Sequence, residues 1–212
     1  MTLLWNYFYA LFVTTTLAAA IPQASIRPLF GLDVDGEYIV VCTASSINQD
    51  IGLWLTANHC KGEQRWIGQP QSDGSWAYHA VTAVFVNETH DVAVLFTDTL
   101  RVKSLHLATA EPVVDDEVIM LGFPLGWTTY QRSHGLVSSL STHILADGYD
   151  YGYKTMFQLP VCRGNSGSPL LNMSGELISM AQLGPGIPCA PFTGGIPYSN
   201  LAGLVGKFFS RE

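Results

Sequence analysis

Basic residues are scarce in this sequence: Lys and Arg together number 10 of 212 residues, against 17 Asp and Glu, and the formal net charge is −7. They form no cluster, which argues against a phosphate-binding surface, so no nucleic-acid partner is expected. There is no glycine-rich phosphate-binding loop and no internal repeat. No C-x-x-C pair occurs, which argues against a zinc ribbon, and the His residues lack ligand-like spacing. We therefore predict no metal site and no cofactor.

The first 20 residues differ in composition from the rest of the chain. Residues 3–20 carry no charge and end in small residues, with Ala18 and Ala20 at the spacing of an A-x-A cleavage site. No Lys or Arg precedes the apolar run, and its length is at the short edge of a membrane-spanning helix. We predict a cleaved signal peptide at residues 1–20. An uncleaved membrane anchor and a buried element of the fold are the alternatives.

Four cysteines follow this leader, and an even number of cysteines in that setting indicates disulfides. We predict the pairs Cys42–Cys60 and Cys162–Cys189, which close loops within the two halves of the chain. Each pair would contribute about 2–4 kcal/mol. Four reduced, buried thiols are the alternative. Disulfides predict a secreted or other extracytoplasmic protein, or a membrane-anchored one with its folded domain outside if residues 1–20 are retained.

Short β-branched and apolar runs, separated by turn signals, fill the rest of the chain. We predict strands at residues 37–43, 52–56, 76–86, 92–96, 117–122, 135–140, 155–159 and 176–182. Many short strands at this spacing indicate a β-barrel or a β-sandwich. One late helix is predicted at 199–209, with Ser199 as its N-cap and with Leu201, Leu204 and Phe208 on one face.

Three segments supply a His, an Asp and a Ser in that order along the chain. They are Thr56-Ala57-Asn58-His59-Cys60, His90-Asp91-Val92-Ala93-Val94-Leu95 and Cys162-Arg163-Gly164-Asn165-Ser166-Gly167-Ser168-Pro169-Leu170. The order is that of one of the unrelated folds that build a serine-nucleophile triad. An α/β-hydrolase would run Ser, Asp, His within a G-x-S-x-G motif, whose fifth position is here Ser168. A seam near 100–112 divides His59 and Asp91 from Ser166, which predicts a site between two β-barrels.

These segments resemble the trypsin-like (chymotrypsin-fold) serine peptidases, and among them the HtrA/Deg-type catalytic domain, over about residues 35–210. The HtrA likeness rests on Asp116-Glu117-Val118-Ile119-Met120-Leu121-Gly122-Phe123-Pro124-Leu125-Gly126, Gly135-Leu136-Val137-Ser138, Gly164-Asn165-Ser166-Gly167, Leu170-Leu171-Asn172 with Gly175-Glu176-Leu177-Ile178, and Gly195-Ile196-Pro197-Tyr198-Ser199-Asn200. The paired cysteines instead resemble the digestive branch of the family. We expect a stand-alone, monomeric catalytic module without a PDZ domain.

The resemblance implies an all-β fold of two six-stranded antiparallel β-barrels, a chymotrypsin-like double barrel, with a short C-terminal helix. The peptidase domain is expected at residues 21–212. Its first barrel would span about 30–105, its second about 112–200, and its helix about 199–209.

The resemblance also implies the chemistry of a serine endopeptidase acting on protein or peptide substrates. Ser166 is the expected nucleophile, and a serine hydroxyl needs an adjacent base at neutral pH. His59 would act as that base and then as the acid for the leaving amine, with Asp91 orienting its ring. The backbone N–H groups of Gly164 and Ser166 would form the oxyanion hole. His90 is expected to face away from the site, because adjacent side chains of a strand point to opposite faces.

The resemblance places Pro160 and Val161 at the base of the primary specificity pocket, with Gly184 and Gly195 (or Gly194) in its walls. The base has no carboxylate, so a buried Arg or Lys of the substrate would go unpaired. We therefore expect an apolar residue before the scissile bond; a pocket built from other loops is the alternative. Arg163, beside the oxyanion glycine, is expected either to contact substrate or to be solvated.

Asn165 stands where the digestive branch has an acid that pairs with a new N-terminus after activation cleavage. Since that acid is missing, we hypothesise that the enzyme needs no such activation. Two alternatives to a peptidase remain open. One is a catalytically silent binding module that kept the fold, and the other is an esterase with the same machinery.

Overall fold

The computed structural model describes residues 23–146, 148–183 and 189–209. The predicted leader at 1–20 lies outside these residues. Within them the strands are β1 (Ile26–Leu32), β2 (Tyr38–Asn48), β3 (Leu53–Ala57), β4 (Trp66–Pro70), β5 (Trp76–Ala80), β6 (Thr82–Asn87), β7 (Val92–Phe96), β8 (Glu117–Gly122), β9 (Gln131–Ala146), β10 (Tyr149–Gln158), β11 (Val161–Cys162), β12 (Pro169–Leu171), β13 (Leu177–Leu183), β14 (Cys189–Ala190) and β15 (Thr193–Gly195). One α-helix, α1, spans Tyr198–Val205, and a 3-10 turn at Gly206–Phe208 follows it.

The strands form two antiparallel sheets that divide the chain at the predicted seam. The first is a seven-stranded sheet in the order β5-β4-β1-β2-β3-β7-β6, and the second is a closed six-stranded barrel in the order β10-β15-β13-β12-β8-β9. β11 and β14 form a separate two-stranded sheet. The all-β, chymotrypsin-like double-barrel class is therefore confirmed.

The first sheet, which we call the first barrel, is an open half-barrel of seven strands, where a six-stranded barrel was predicted. The predicted strand at 76–86 is two strands, β5 and β6, because Val81 between them leaves the ladder and donates its backbone N–H to Arg65 O at 3.1 Å. β1 was not predicted because Pro28 and Gly31 interrupt its pattern. β4 pairs with β1 only at Leu29 and Phe30, so the missing N–H of Pro28 falls outside that ladder.

Each sheet encloses a core of fully buried side chains. Leu29, Ile47, Trp54 and Ile67 are each 0% exposed in the first core. The second contains Val118, Val137, Phe157 and Leu170, also at 0%. Burying side chains of this size contributes about 1.5–3 kcal/mol each. The two cores thereby hold in place the strands whose connecting loops carry His59, Asp91 and Ser166.

The C-terminal helix is shorter than predicted and packs on the first core. Leu201 and Val205 of α1 are buried there, and Phe208 of the following 3-10 turn lies 5.4 Å from the ring of Phe85. The prediction of Ser199 as N-cap was wrong: Pro197 holds that position, and its fixed φ suits a helix start. No helix in the described part of the chain has the length and apolar character needed to cross a bilayer.

Candidate active site

His59 and Asp91 meet at the rim of the first barrel. β3 delivers the chain into the 3-10 turn Asn58–Cys60, which carries His59, and Asp91 immediately precedes β7, the neighbour of β3. The Asp91 carboxylate accepts the backbone N–H of His59 on one oxygen and contacts ring Nδ1 with the other, both at 2.8 Å. In a neutral imidazole whose Nδ1–H bonds a carboxylate, Nε2 carries no proton and can accept one.

The backbone of Asp91 is held in an uncommon conformation. Its φ is +52°, in the left-handed region that non-glycine residues rarely adopt, and such a conformation costs about 1–3 kcal/mol. Its carbonyl accepts hydrogen bonds from Asn58 N–H at 3.1 Å and from Gln182 Nε2 at 2.9 Å. Strain maintained in this way is typical of functional sites.

His90 lies in the turn before β7, not in a strand, so the alternation that we used to orient it does not apply. Its ring contacts the C-terminal helix: His90 Nδ1 lies 3.4 Å from Asn200 Nδ2 of α1.

Ser166 lies on the loop that joins β11 to β12, and β12 is a strand of the second barrel. Its carbonyl accepts the backbone N–H of Thr43 at 2.8 Å, so the loop is attached directly to β2 of the first barrel. The next residue, Gly167, has a φ of +82°, and a Cβ there would lie 2.2 Å from Thr43 O. Within the described residues no hydrogen bond links the Ser166 hydroxyl to His59. In free enzymes this contact is often long and tightens in the substrate complex.

The turn around Gly164 leaves two backbone donors unused. Asn165 donates its N–H to Cys162 O at 3.0 Å, whereas the N–H groups of Gly164 and Ser166 find no acceptor in the part of the chain that the structure describes. Gly164 has a φ of +94°, and a Cβ there would lie 2.3 Å from Phe123 O. Glycine is therefore required for both conformation and space. Two unpaired N–H groups on one turn can bind a developing negative charge.

Thr43 is a residue of this site that the sequence analysis missed. Its buried hydroxyl donates to Gly164 O at 2.9 Å and accepts the N–H of Phe123 at 3.1 Å. Both partners lie in the second barrel, so one side chain of β2 supports the loop of the unpaired donors from across the seam. Its position directly after Cys42 places it near the His59 turn once the disulfide is predicted. The local sequence does not indicate its partners Gly164 and Phe123.

A cavity of about 350 Å³ opens beside His59 and Asp91. Its wall includes Lys154 of β10 and Gln182 of β13, which the sequence did not predict as site residues. Lys154 Nζ donates to Gln182 Oε1 at 2.7 Å. Burial lowers the pKa of the Lys154 ammonium, while the negative charge of Asp91 acts in the opposite direction.

Both predicted disulfides form, Cys42–Cys60 and Cys162–Cys189. The first joins β2 to the turn that carries His59, and the second joins β11, on the Ser166 side, to β14. Cys42, His59 and Cys60 lie close enough to suggest a metal cluster. The sulfurs of Cys42 and Cys60 are bonded to each other, however, so neither is the thiolate that a metal would need.

The predicted specificity residues lie in different environments. Val161 is 5% exposed in the core of the second barrel and pairs with Ala190, whereas Pro160 and Arg163 are exposed. Gly195 pairs with Thr155 and Ala181. A Cβ at Gly195 would lie 2.4 Å from Ser179 Oγ, which excludes larger residues. Gly184, predicted for one wall of the pocket, lies outside the described residues.

Solved structures share this fold at low sequence identity. An HtrA-type protease AlgW variant with a tripeptide aligns with a TM-score of 0.71 at 17% identity, covering 89% of this chain and 61% of that chain. The Rv3671c protease from M. tuberculosis in its active form gives 0.69 at 18%, covering 90% and 83%. The MamO protease domain from Magnetospirillum magneticum gives 0.66 at 19%, covering 90% and 98%. The chain thus spans about 61% of the AlgW chain that it matches.

The sequence comparisons identify the family. No curated protein sequence matches the chain. The family model described as the trypsin-like peptidase domain matches residues 42–180, which include the segments of His59, Asp91 and Ser166. Together with the double barrel, this match shows that the chain belongs to the trypsin-like peptidase family.

Proposed function

We propose that the protein is a serine endopeptidase that hydrolyses peptide bonds through an acyl-enzyme. The observation that carries the proposal is the pair of 2.8 Å contacts from the Asp91 carboxylate to the backbone and ring of His59. The attachment of the Ser166 loop to the same barrel through Thr43 supports it further.

In the proposed reaction, Ser166 Oγ attacks the carbonyl carbon of the substrate while His59 Nε2 removes the hydroxyl proton. Asp91 accepts the hydrogen bond of Nδ1–H, which fixes the tautomer and stabilises the imidazolium. The oxyanion binds the N–H groups of Gly164 and Ser166. His59 then returns its proton to the leaving amine. Water, activated by His59, hydrolyses the acyl-enzyme in the second half of the cycle.

The proposed substrate is a peptide with an apolar residue before the scissile bond. The aliphatic side chain of Val161, buried on β11, supports this choice, since a carboxylate is missing at the corresponding position. The two disulfides fit an extracytoplasmic location, where such bonds persist. We propose in addition that the protein is secreted after removal of residues 1–20.

The test is labelling of the purified, oxidised full chain with a fluorophosphonate, which reacts with activated serines, followed by peptide mass spectrometry. We expect a single adduct on Ser166 that is lost in His59→Ala and strongly slowed in Asp91→Asn. Ser174→Ala is the matched control, because Ser174 is an exposed turn serine outside the site, and it should label like the wild type.

Two results would contradict the proposal. A folded protein with both disulfides and no adduct would favour a catalytically silent binding module. An adduct on Ser166 with turnover of esters but not of peptides would identify an esterase.

A further inference from the structure

Lys154 is a buried cation that the proposed mechanism does not use. It is 4% exposed, on β10 of the second barrel, yet it borders the cavity that also contains His59 and Asp91. Among the described residues, the hydrogen-bond partner of its ammonium is Gln182 Oε1, at 2.7 Å. A buried ammonium is unfavourable unless it is paired and hydrogen-bonded. A buried ammonium close to the strained residue Asp91 therefore suggests a function beyond packing.

The lysine determines which way the Gln182 amide points. An ammonium has three donors and no acceptor, so the amide oxygen must face it. The amide nitrogen is then turned to the other side, where Nε2 donates to the carbonyls of His90 and Asp91, the second at 2.9 Å. A flipped amide would set its NH₂ against the ammonium and its oxygen against two carbonyl oxygens. The network therefore permits one orientation.

The carbonyl that Gln182 binds belongs to the residue with the unusual backbone. Asp91 has a φ of +52°. Its carbonyl is held by Asn58 N–H from the first barrel and by Gln182 from the second. In this conformation its carboxylate reaches both the N–H and the Nδ1 of His59. Loss of the Gln182 donor would leave one bond, from Asn58, to hold the carbonyl.

We propose that Lys154 and Gln182 are positioning residues: the ammonium fixes the amide, and the amide holds Asp91 in the conformation that orients His59. This inference rests on the proposed function, since it assigns a role within the same site. It distinguishes the two residues from ordinary core polar groups, whose loss would change stability without changing the rate per correctly folded molecule.

The experiment compares Lys154→Met and Gln182→Glu with the wild type in the full-length, oxidised chain. Gln182→Glu keeps the side-chain size and forms an ion pair with Lys154, but it replaces the donors to the two carbonyls by an acceptor. Lys103→Met is the matched control, because Lys103 is exposed and does not line the cavity of His59 and Asp91. Fluorophosphonate labelling of Ser166 gives two quantities, the labelled fraction and the rate constant, and peptide turnover gives kcat and KM.

We expect both site variants to lower the labelling rate constant and kcat by about 100-fold, as for a misplaced catalytic group, with KM little changed. A purely structural role would instead lower the labelled fraction and leave the rate constant of the folded molecules unchanged. If Lys154→Met fails to fold, Gln182→Glu decides the question.

The outcomes separate the two proposals. A wild type without a Ser166 adduct refutes the proposed function and this inference with it. A labelled wild type together with a Gln182→Glu variant that reacts at the wild-type rate overturns the inference alone. The inference is also overturned if the labelled fraction falls in both variants while the rate constant stays unchanged.

Discussion

Thr43 of the first barrel donates its hydroxyl to the carbonyl of Gly164 in the second, at 2.9 Å, and neither residue is exposed to solvent. The same oxygen accepts the N–H of Phe123 at 3.1 Å. One buried hydroxyl thus satisfies a donor and an acceptor of the loops that surround the proposed oxyanion turn. The geometry of the turn therefore depends on how the two barrels meet.

Replacing Thr43 by Val should impair both stability and reactivity. Valine has nearly the same shape but leaves Gly164 O and Phe123 N–H buried without partners, and each orphaned group costs about 1–3 kcal/mol. We expect a lower free energy of unfolding in urea and a slower labelling rate at Ser166. Thr97→Val is the control, since Thr97 is also buried but its hydroxyl contacts Thr99 of the same barrel and no residue of the other barrel. A Thr43→Val variant that is destabilised no more than Thr97→Val and labels normally would contradict this role.

Gly164→Ala should lose activity for a steric reason. The added methyl would lie 2.3 Å from Phe123 O, and the φ of +94° is unfavourable for alanine, so the turn must rearrange. Removing one oxyanion donor typically costs about 10²–10³ in kcat, and we expect a loss of that size in peptide turnover. Gly74 supplies the control: its φ is +85°, but its Cβ position is open. Gly74→Ala should cost stability alone, and equal kinetic losses in both variants would refute the assignment.

The residues of the candidate site could be named from the sequence because each of them lies in a short contiguous segment. His59, Asp91 and Ser166 each lie in a short run whose order along the chain identifies the kind of site. Both disulfides could be predicted for a similar reason, since each closes a loop within one half of the chain. The double barrel followed from strand density and the family resemblance, although the bounds of single strands did not.

The supporting contacts could not be predicted, because they join residues that are far apart in sequence. Gln182 reaches the Asp91 carbonyl across 91 positions, and Thr43 reaches Gly164 across 121. Such pairs depend on how two barrels dock, which local periodicity does not encode. Lys154 illustrates the limit: within the alternating run of β10 it reads as a solvated residue, yet it is 4% exposed.

His79 should make stability fall in mild acid. Burial lowers the pKa of His79 below its ordinary value of 6.5. Its ring nitrogens contact Thr99 Oγ1 and Gln69 Oε1 at 2.9 and 3.1 Å. The unfolded chain then binds the proton at a higher pH than the folded one. The stabilisation is therefore present above 6.5 and is lost as the pH falls through the lowered value.

The measurement is urea unfolding of the wild type and His79→Gln at about pH 7.5 and about pH 5, on either side of the ordinary His pKa. Glutamine can still donate and accept but does not titrate in this range. The wild type should lose its advantage over the variant at the lower pH. A difference between the two proteins that does not vary with pH would disprove the assignment.

A peptide library should reveal cleavage after apolar residues. A basic side chain bound beside Val161 would lose its hydration without gaining a carboxylate, a penalty of several kcal/mol. We expect at least about a tenfold preference in kcat/KM for Leu, Val or Ala over Arg and Lys, which corresponds to about 1.4 kcal/mol. Val161→Asp provides the reciprocal test, since a carboxylate there should shift the preference toward basic residues. Preferred cleavage after Arg or Lys by the wild type would refute the pocket assignment.

Asn165→Asp should destabilise the protein rather than create an activation switch. Asn165 is 4% exposed, its Nδ2 contacts Met120 Sδ at 3.8 Å, and its Oδ1 has no hydrogen-bond partner among the described residues. A carboxylate placed there would be a buried charge without a cation, at a cost of about 3–5 kcal/mol. Asn165→Leu is the matched control, because it removes the unpaired oxygen without adding charge and should stay near wild-type stability.

The same pair of variants tests whether the enzyme needs proteolytic activation. If Asn165 replaces the acid of the activation mechanism, the wild type should label at Ser166 without any clipping downstream of the leader, and Asn165→Leu should label too. Because the charge rather than the shape is harmful, Asn165→Asp should show a lower unfolding midpoint and a smaller labelled fraction. An inert wild type that gains activity only after further N-terminal trimming would overturn this expectation. A stable Asn165→Asp variant that becomes active after such trimming would also overturn it. The α-ammonium group of the newly exposed N-terminus would then pair with the introduced carboxylate.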